Sequence, residues 1–213
     1  PINKHALSLA GIDFPGHTEI LKTFTDSDDV CMLLTSVKIS CALVTTHIGL
    51  DEVSEALTES NIIKVILLSD KAMKGILGRS PKIGVLGLNP HCGELGLFGR
   101  NEESLIIEPA IKKAKQFGLN IEGPLSPDTA FISDNLDAYD VFICMYHDQG
   151  LIPLKMLAFD SAVNVTLGLP IIRTSVDHGT ALDIAWKGIA KSSSLIQSIC
   201  LASLMCRSRF NEG

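Results

Sequence analysis

Short, uninterrupted apolar runs alternate along this 213-residue chain with longer amphipathic stretches. That alternation is the mark of an α/β architecture. Runs of this kind suit strands of a largely parallel sheet, which are covered on both faces and need no in–out polarity pattern. Strands are expected at Val30–Leu34, Cys41–Thr45, Lys82–Gly87, Asp140–Met145 and Ala162–Thr166. Helices are expected at Asp51–Leu57, Ile62–Leu77, Glu102–Phe117, Gly179–Lys187 and Ser193–Met205. Pro109 falls inside the third of these, so that helix must kink or begin later, because proline has no N–H to donate. Gly118 stands where a glycine C-cap belongs.

Composition narrows the classes of function. Hydrophobic residues make up 46% of the chain and the mean hydropathy is +0.30. No run reaches the roughly 18 apolar residues of a membrane span. Strands buried on both faces, or a surface covered by a partner, absorb such an excess. The 18 basic and 24 acidic side chains leave a formal charge of −6. With no basic run, nucleic-acid binding is not expected, since it needs many phosphate-neutralising cations. Cys31, Cys41, Cys92, Cys144, Cys200 and Cys206 form no CxxC pair and read as reduced core cysteines of a cytoplasmic protein. The opening Pro-Ile-Asn-Lys-His is not a signal peptide; it lacks an initiator Met and starts abruptly, as a fragment of a longer chain does.

Three histidines share one context. Apolar β-type runs lead into His47, His91 and His147. Ligands of open α/β sheets bind outside the carboxyl ends of the strands, so three imidazoles delivered to one edge can converge on a divalent cation and leave a position open for substrate. They are too far apart in sequence to form a local metal motif, and three ordinary hydrogen-bonded histidines fit the same pattern. Around the second lies a glycine-rich segment, Asn89 to Arg100, which is either a close backbone approach to a ligand or a turn-rich connection. Gly16-His17-Thr18-Glu19 reads as a helix start, with Thr18 as a cap and His17 beside free N–H groups able to hold a phosphate. Lys155, Asn164 and Arg173 are polar residues spaced through an apolar stretch. A cation on an apolar strand needs a partner, either an anionic ligand or a structural carboxylate. Asp148 and Asp128 are candidates for orienting a ligand histidine or acting as a base; Asp128 fits a helix cap equally well.

Several segments then converge on one family: Pro-Ile-Asn-Lys at 1–4, Gly-His-Thr-Glu at 16–19, Thr-Thr-His at 45–47, Asn-Pro-His-Cys-Gly-Glu at 89–94, Tyr-His-Asp-Gln-Gly at 146–150, and the block from Val163 to Asp183. From the first residue to about Leu204 the chain resembles the 4-hydroxythreonine-4-phosphate dehydrogenases of vitamin B6 synthesis. The resemblance implies His47, His91 and His147 as metal ligands and His17, Thr18, Lys155, Asn164 and Arg173 as substrate contacts. It implies NAD-linked oxidation of the C3 hydroxyl of 4-phosphooxy-L-threonine, with loss of CO₂ from the resulting β-keto acid. It further implies a homodimer whose metal site draws on both subunits, a divalent Zn, Mg or Co ion, and a three-layer α/β/α fold similar to isocitrate and isopropylmalate dehydrogenases. Asp177-His178-Gly179-Thr180 looks like the segment with which those enzymes contact NAD, so His178, Gly179 and Thr180 are the candidate cofactor residues; NADP is the alternative nucleotide. Asp148, Asp128 and Lys155 are the candidate proton acceptors.

Family members are about half as long again, the difference lying before Pro1. The chain is therefore expected to be the continuous C-terminal portion of a two-domain enzyme. Residues up to about 160 would form a central, dimerising domain, and about 161–213 would return into the cofactor-side domain. Three alternatives stand: a related dehydrogenase of a phosphorylated sugar acid such as 4-phospho-threonate or -erythronate, a non-catalytic remnant that only dimerises, and a zinc hydrolase.

Overall fold

A computed structural model describes residues 2–12, 14 and 16–211; Pro1 and Pro15, beside two of the motifs above, lie outside the described residues. The strands are β1 (Cys31–Thr35), β2 (Ser40–Leu43), β3 (Lys82–Leu86), β4 (Asn120–Leu125), β5 (Val141–Cys144), β6 (Val163–Leu167) and β7 (Arg173–Val176). The α-helices are α1 (Lys4–Leu9), α2 (His17–Phe24), α3 (Val53–Ala56), α4 (Glu59–Leu77), α5 (Glu108–Lys115), α6 (Ser133–Leu136), α7 (His147–Ala158) and α8 (Ser193–Asn211).

One sheet runs in the order β4-β3-β5-β2-β1-β6-β7. Its first four strands are mutually parallel; β1 is antiparallel to both neighbours, and β7 is antiparallel to β6. Period-two geometry divides the buried strand residues between two cores. Cys31, Leu33, Ala42, Val85, Ile143 and Val165 face a layer that includes α4, α5 and α8. Met32, Leu34, Cys41, Phe142 and Cys144 face α7 and the Ala130–Leu136 segment. Helices thus cover both faces, and the three-layer α/β/α expectation holds. β1, β2 and β5 are buried along their whole length, which is why their sequence is apolar except at Thr35 and Ser40, whose hydroxyls bond each other at 2.8 Å.

Local chemistry sets the helix ends. The Thr58 hydroxyl accepts from the Asn61 N–H at 3.1 Å to start α4, and Gly78, at φ 68°, ends it in the left-handed region that glycine tolerates. Between them Ile62, Val65, Ile66, Ser69 and Met73 are buried along one stripe. Pro109 acts as expected: a π-helical turn at Glu103–Ile107 precedes α5, which begins with the proline in its first turn. Gly118 takes φ 74° after α5.

Four readings need correction. The expected helix Gly179–Lys187 is only a 3₁₀ turn at Leu182–Ile184; its glycine and polar residues supply no apolar stripe to bury. Lys155 lies not on a strand but on α7, which packs Leu151 and Leu154 inward and leaves Ile152 and Met156 exposed. Thr18 is not the cap of α2; Gly16 is, with no side-chain bond. Cys200 and Cys206 are exposed on α8, while Cys31, Cys41 and Cys144 are in the core. Strands β4 and β7 escaped the sequence reading, since one carries Gly-Pro and the other is polar and lies at the sheet edge.

Candidate functional site

His47, His91 and His147 follow β2, β3 and β5. Those three strands are neighbours and parallel, so all three imidazoles leave the same edge of the sheet. His147 opens α7. Its ring centroid lies 5.9 Å from that of His47. The His147 Nδ1 is 2.7 Å from Asp148 Oδ1. With Nδ1 donating to that carboxylate, Nε2 keeps its lone pair, the arrangement that orients a metal-binding imidazole.

A cavity of about 260 Å³ sits beside this pair. His17 and Thr18 reach it from the first turn of α2, Lys155 from α7, Asn164 from β6 and Arg173 from β7. Every candidate substrate residue therefore lines one space with His47 and His147. The strand pattern explains Asn164: Val163 and Val165 point into the α4 core, which turns Asn164 to the other face. Arg173 donates to Asn164 Oδ1 at 3.2 Å and to Thr166 Oγ1 at 3.0 Å. Burial, and then the Arg173 charge, hold the His17 imidazole below its usual pKa. The N-terminus of α2 adds partial positive charge at the same place.

Two carboxylates in this cavity were not singled out from sequence. Asp177 Oδ2 is 3.7 Å from Lys155 Nζ; burial raises its pKa, against the pull of Lys155. Glu19 Oε2 is buried with no hydrogen-bond partner among the described residues. Lys155 and Asp177 also line a second cavity, of about 610 Å³, together with His178, Gly179 and Thr180. The candidate cofactor residues thus adjoin the candidate substrate residues across a shared wall.

His91 stands apart from this cavity. Its ring packs 6.5 Å from that of Phe98, on an exposed loop with Leu95 and Leu97. Asp128 is on that side too: its carboxylate accepts from the Ser126 hydroxyl at 2.7 Å, which together with the charge of His91 lowers its pKa. His91, Cys92, Gly93, Glu94 and Leu95 all take left-handed backbone angles, a cost of about 1–2 kcal/mol for each residue other than glycine. Behind the loop, Glu102 and Glu103 are both 4% exposed. Glu103 Oε1 accepts from the Leu88 and Asn89 N–H groups at 2.9 and 2.7 Å. Asn89 Nδ2 donates to Glu103 Oε2 at 3.0 Å and to Glu102 Oε2 at 2.9 Å. Glu102 also accepts from the Ser54 hydroxyl and from the Arg100 N–H.

Two imidazoles on one cavity, one held by a carboxylate, fit a divalent cation of the transition series. Among the described residues of a single chain, no group of three His, Cys, Asp or Glu is placed to hold a metal.

Fold and site together define an α/β protein with a polar pocket at the carboxyl edge of its sheet, paired imidazoles on one side and a larger cavity on the other. The chain belongs to the family described as pyridoxal phosphate biosynthetic protein PdxA, whose model matches residues 1–202. It is 50% identical over 205 residues to the 4-hydroxythreonine-4-phosphate dehydrogenase of Desulforapulum autotrophicum, covering 96% of this chain and 60% of that one. It is also 50% identical over 202 residues to the D-threonate 4-phosphate dehydrogenase of Salmonella typhimurium, covering 95% and 62%. The crystal structure of 4-hydroxythreonine-4-phosphate dehydrogenase from Klebsiella pneumoniae superposes with a TM-score of 0.84 at 47% identity, covering 96% and 62%. The chain therefore spans about three fifths of the length of these relatives.

Proposed function

We propose that this chain carries the substrate and metal site of a NAD-dependent dehydrogenase that oxidises 4-phosphooxy-L-threonine at C3, with decarboxylation of the product, in pyridoxal phosphate synthesis. The observation that supports it is the gathering of His17, Thr18, His47, His147, Lys155, Asn164 and Arg173, from well-separated stretches of the chain, around one cavity. Lys155, Arg173 and the α2 N-terminus neutralise the substrate's phosphate and carboxylate. His47 and His147 hold a divalent ion (Zn, Mg or Co), with Asp148 fixing the His147 ring. The chemistry supplied by such an ion is Lewis acidity toward the hydroxyl and then the ketone. A nicotinamide would supply the hydride acceptor, and His178, Gly179 and Thr180 would position NAD, with NADP as the alternative, beside Lys155. A carboxylate, Asp148 or the second copy's Asp128, takes the hydroxyl proton, since the Lys155 ammonium has no lone pair to accept it. Asp128, with His91, belongs to the wall that a second copy contributes.

The third imidazole is His91 of that second copy. The exposed apolar side chains at Leu95, Leu97 and Phe98 suit an interface, so the site is completed by homodimerisation. Residues to about 160 form the dimerising domain, and about 161–213 lead toward the cofactor-side domain. The six unpaired thiols suit a reducing cytoplasm. Among the described residues no helix is long and apolar enough to cross a membrane.

D-threonate 4-phosphate is the second reading, since a relative of that name is equally similar. The Glu19 carboxylate on the cavity wall favours the amino acid, whose ammonium group it would pair. The test is a substrate panel with NAD reduction followed by absorbance: activity on the hydroxy acid and none on the amino acid overturns the preference. Elemental analysis tests the metal. His47→Ala and His147→Ala are each expected to lose bound divalent ion while the far-UV circular dichroism is kept; retained stoichiometry refutes the ligand assignment.

A further inference from the structure

Three unusual features meet behind His91. Five consecutive residues adopt left-handed angles from His91 onward. A π-helical turn, rare in proteins, begins at Glu103. Two adjacent glutamates, Glu102 and Glu103, are almost fully buried. Buried carboxylates are costly unless bonded, and among the described residues neutral groups donate to this pair. Those donors are the amides of Leu88, Asn89 and Arg100, the Ser54 hydroxyl and the Asn89 side chain. Glu103 caps the two amides immediately before Pro90-His91, and its Oε2 sits where a Cβ on Gly93 would come within 2.7 Å. One carboxylate therefore fixes the chain on both sides of the imidazole.

We propose that Glu103 is the positioning residue for His91: its carboxylate locks the Leu88–Gly93 backbone so that the left-handed turn presents the ring outward in one orientation. The π-turn widens the helix at the point where Glu103 must reach back to the Leu88 and Asn89 amides. Asn89 bridges Glu103 to Glu102, and Glu102 ties the assembly to α3 through Ser54. The inference rests on the reading of His91 as a metal ligand, and the experiment separates the two.

Cobalt(II), which reports its ligands through visible absorption, is titrated into the purified protein and its variants. Glu103→Ala is expected to weaken cobalt binding about tenfold or more, the usual effect of removing a ligand's orienting partner, and to give the absorption spectrum of His91→Ala. Glu103→Gln, which keeps an acceptor for the two amides, is expected to recover most of the affinity. Ile66→Val, a core change on α4 that removes none of these hydrogen bonds, is expected to keep the parental affinity and spectrum. Parental cobalt affinity in Glu103→Ala overturns the inference, as does an equal loss in Ile66→Val. Should Glu103→Ala not fold, Asn89→Ala takes its place; it removes the bridging amide and must weaken binding in the same direction. If His91→Ala itself leaves affinity and spectrum unchanged, the metal reading fails and takes the inference with it. If only the glutamate and asparagine variants are silent, the inference alone fails.

Discussion

The pH behaviour of His17 follows from its surroundings. Burial and the Arg173 charge depress its pKa below 6.5. The unfolded chain therefore binds this proton more readily than the folded one. The corresponding stability is fully present above pH 6.5 and is lost as pH falls through the folded value. The His17 ring resonances are expected to titrate with a midpoint below 6.5 by NMR, and Arg173→Met is expected to raise that midpoint. An unchanged midpoint in the variant would show that the guanidinium does not act on the ring. The histidines, Lys155, Asn164 and Arg173 were legible in the sequence because each is a polar residue set against apolar runs or glycine turns. Asp177, Glu19, Glu102 and Glu103 were not. Their importance comes from burial by residues far away in sequence, and carboxylates are common enough in a chain with 24 of them that position alone does not single them out.

Among the elements, α4 is the main cover of one sheet face. Ile66 is fully buried in its centre. Ile66→Ala is expected to cost about 2–5 kcal/mol by the cavity it leaves, read from urea denaturation midpoints. Thr58→Ala, which removes only the cap, is expected to cost about 1 kcal/mol. Equal losses would mean that packing does not dominate this helix. Five strands were legible because strands sandwiched between helix layers must be apolar throughout. α7 was hidden for another reason: its exposed face carries Ile152 and Met156, so with Pro153 inside it no polar stripe marks its period. β7 was hidden for the opposite reason, since an edge strand that faces a ligand cavity carries Arg173, Thr174 and Ser175.

Across the whole molecule, burial sorts the thiols. The Cys31 thiol is pushed up to about 12 by burial, and Cys144 is raised well above its ordinary value for the same reason first. Cys200 and Cys206 are exposed. Titration of this chain with an aromatic disulfide reagent at neutral pH is expected to modify those two rapidly, with Cys31, Cys41 and Cys144 reacting only on unfolding. Rapid modification of a core thiol would contradict the packing described here. The α/β class and the edge of the sheet that carries the chemistry were legible from the alternation of runs. The separation of His91 from the other two imidazoles was foreshadowed only by the resemblance, which implies a site shared between subunits; strand-end placement alone puts all three on one edge.

The wall between the two cavities is a single loose ion pair, Lys155 with Asp177 at 3.7 Å, too long for a direct hydrogen bond. An anion entering the smaller chamber competes for the ammonium group and strips Asp177 of its countercharge on the side of the larger one. Occupants of the two chambers must then alter each other's affinity by the same factor, since linkage is reciprocal. In calorimetric titrations NAD should bind with a different dissociation constant when inorganic phosphate is present, and Asp177→Asn should abolish the difference. Such coupling fixes no order of arrival; it sets how far each occupant favours or disfavours the other, and one lysine and one aspartate carry it.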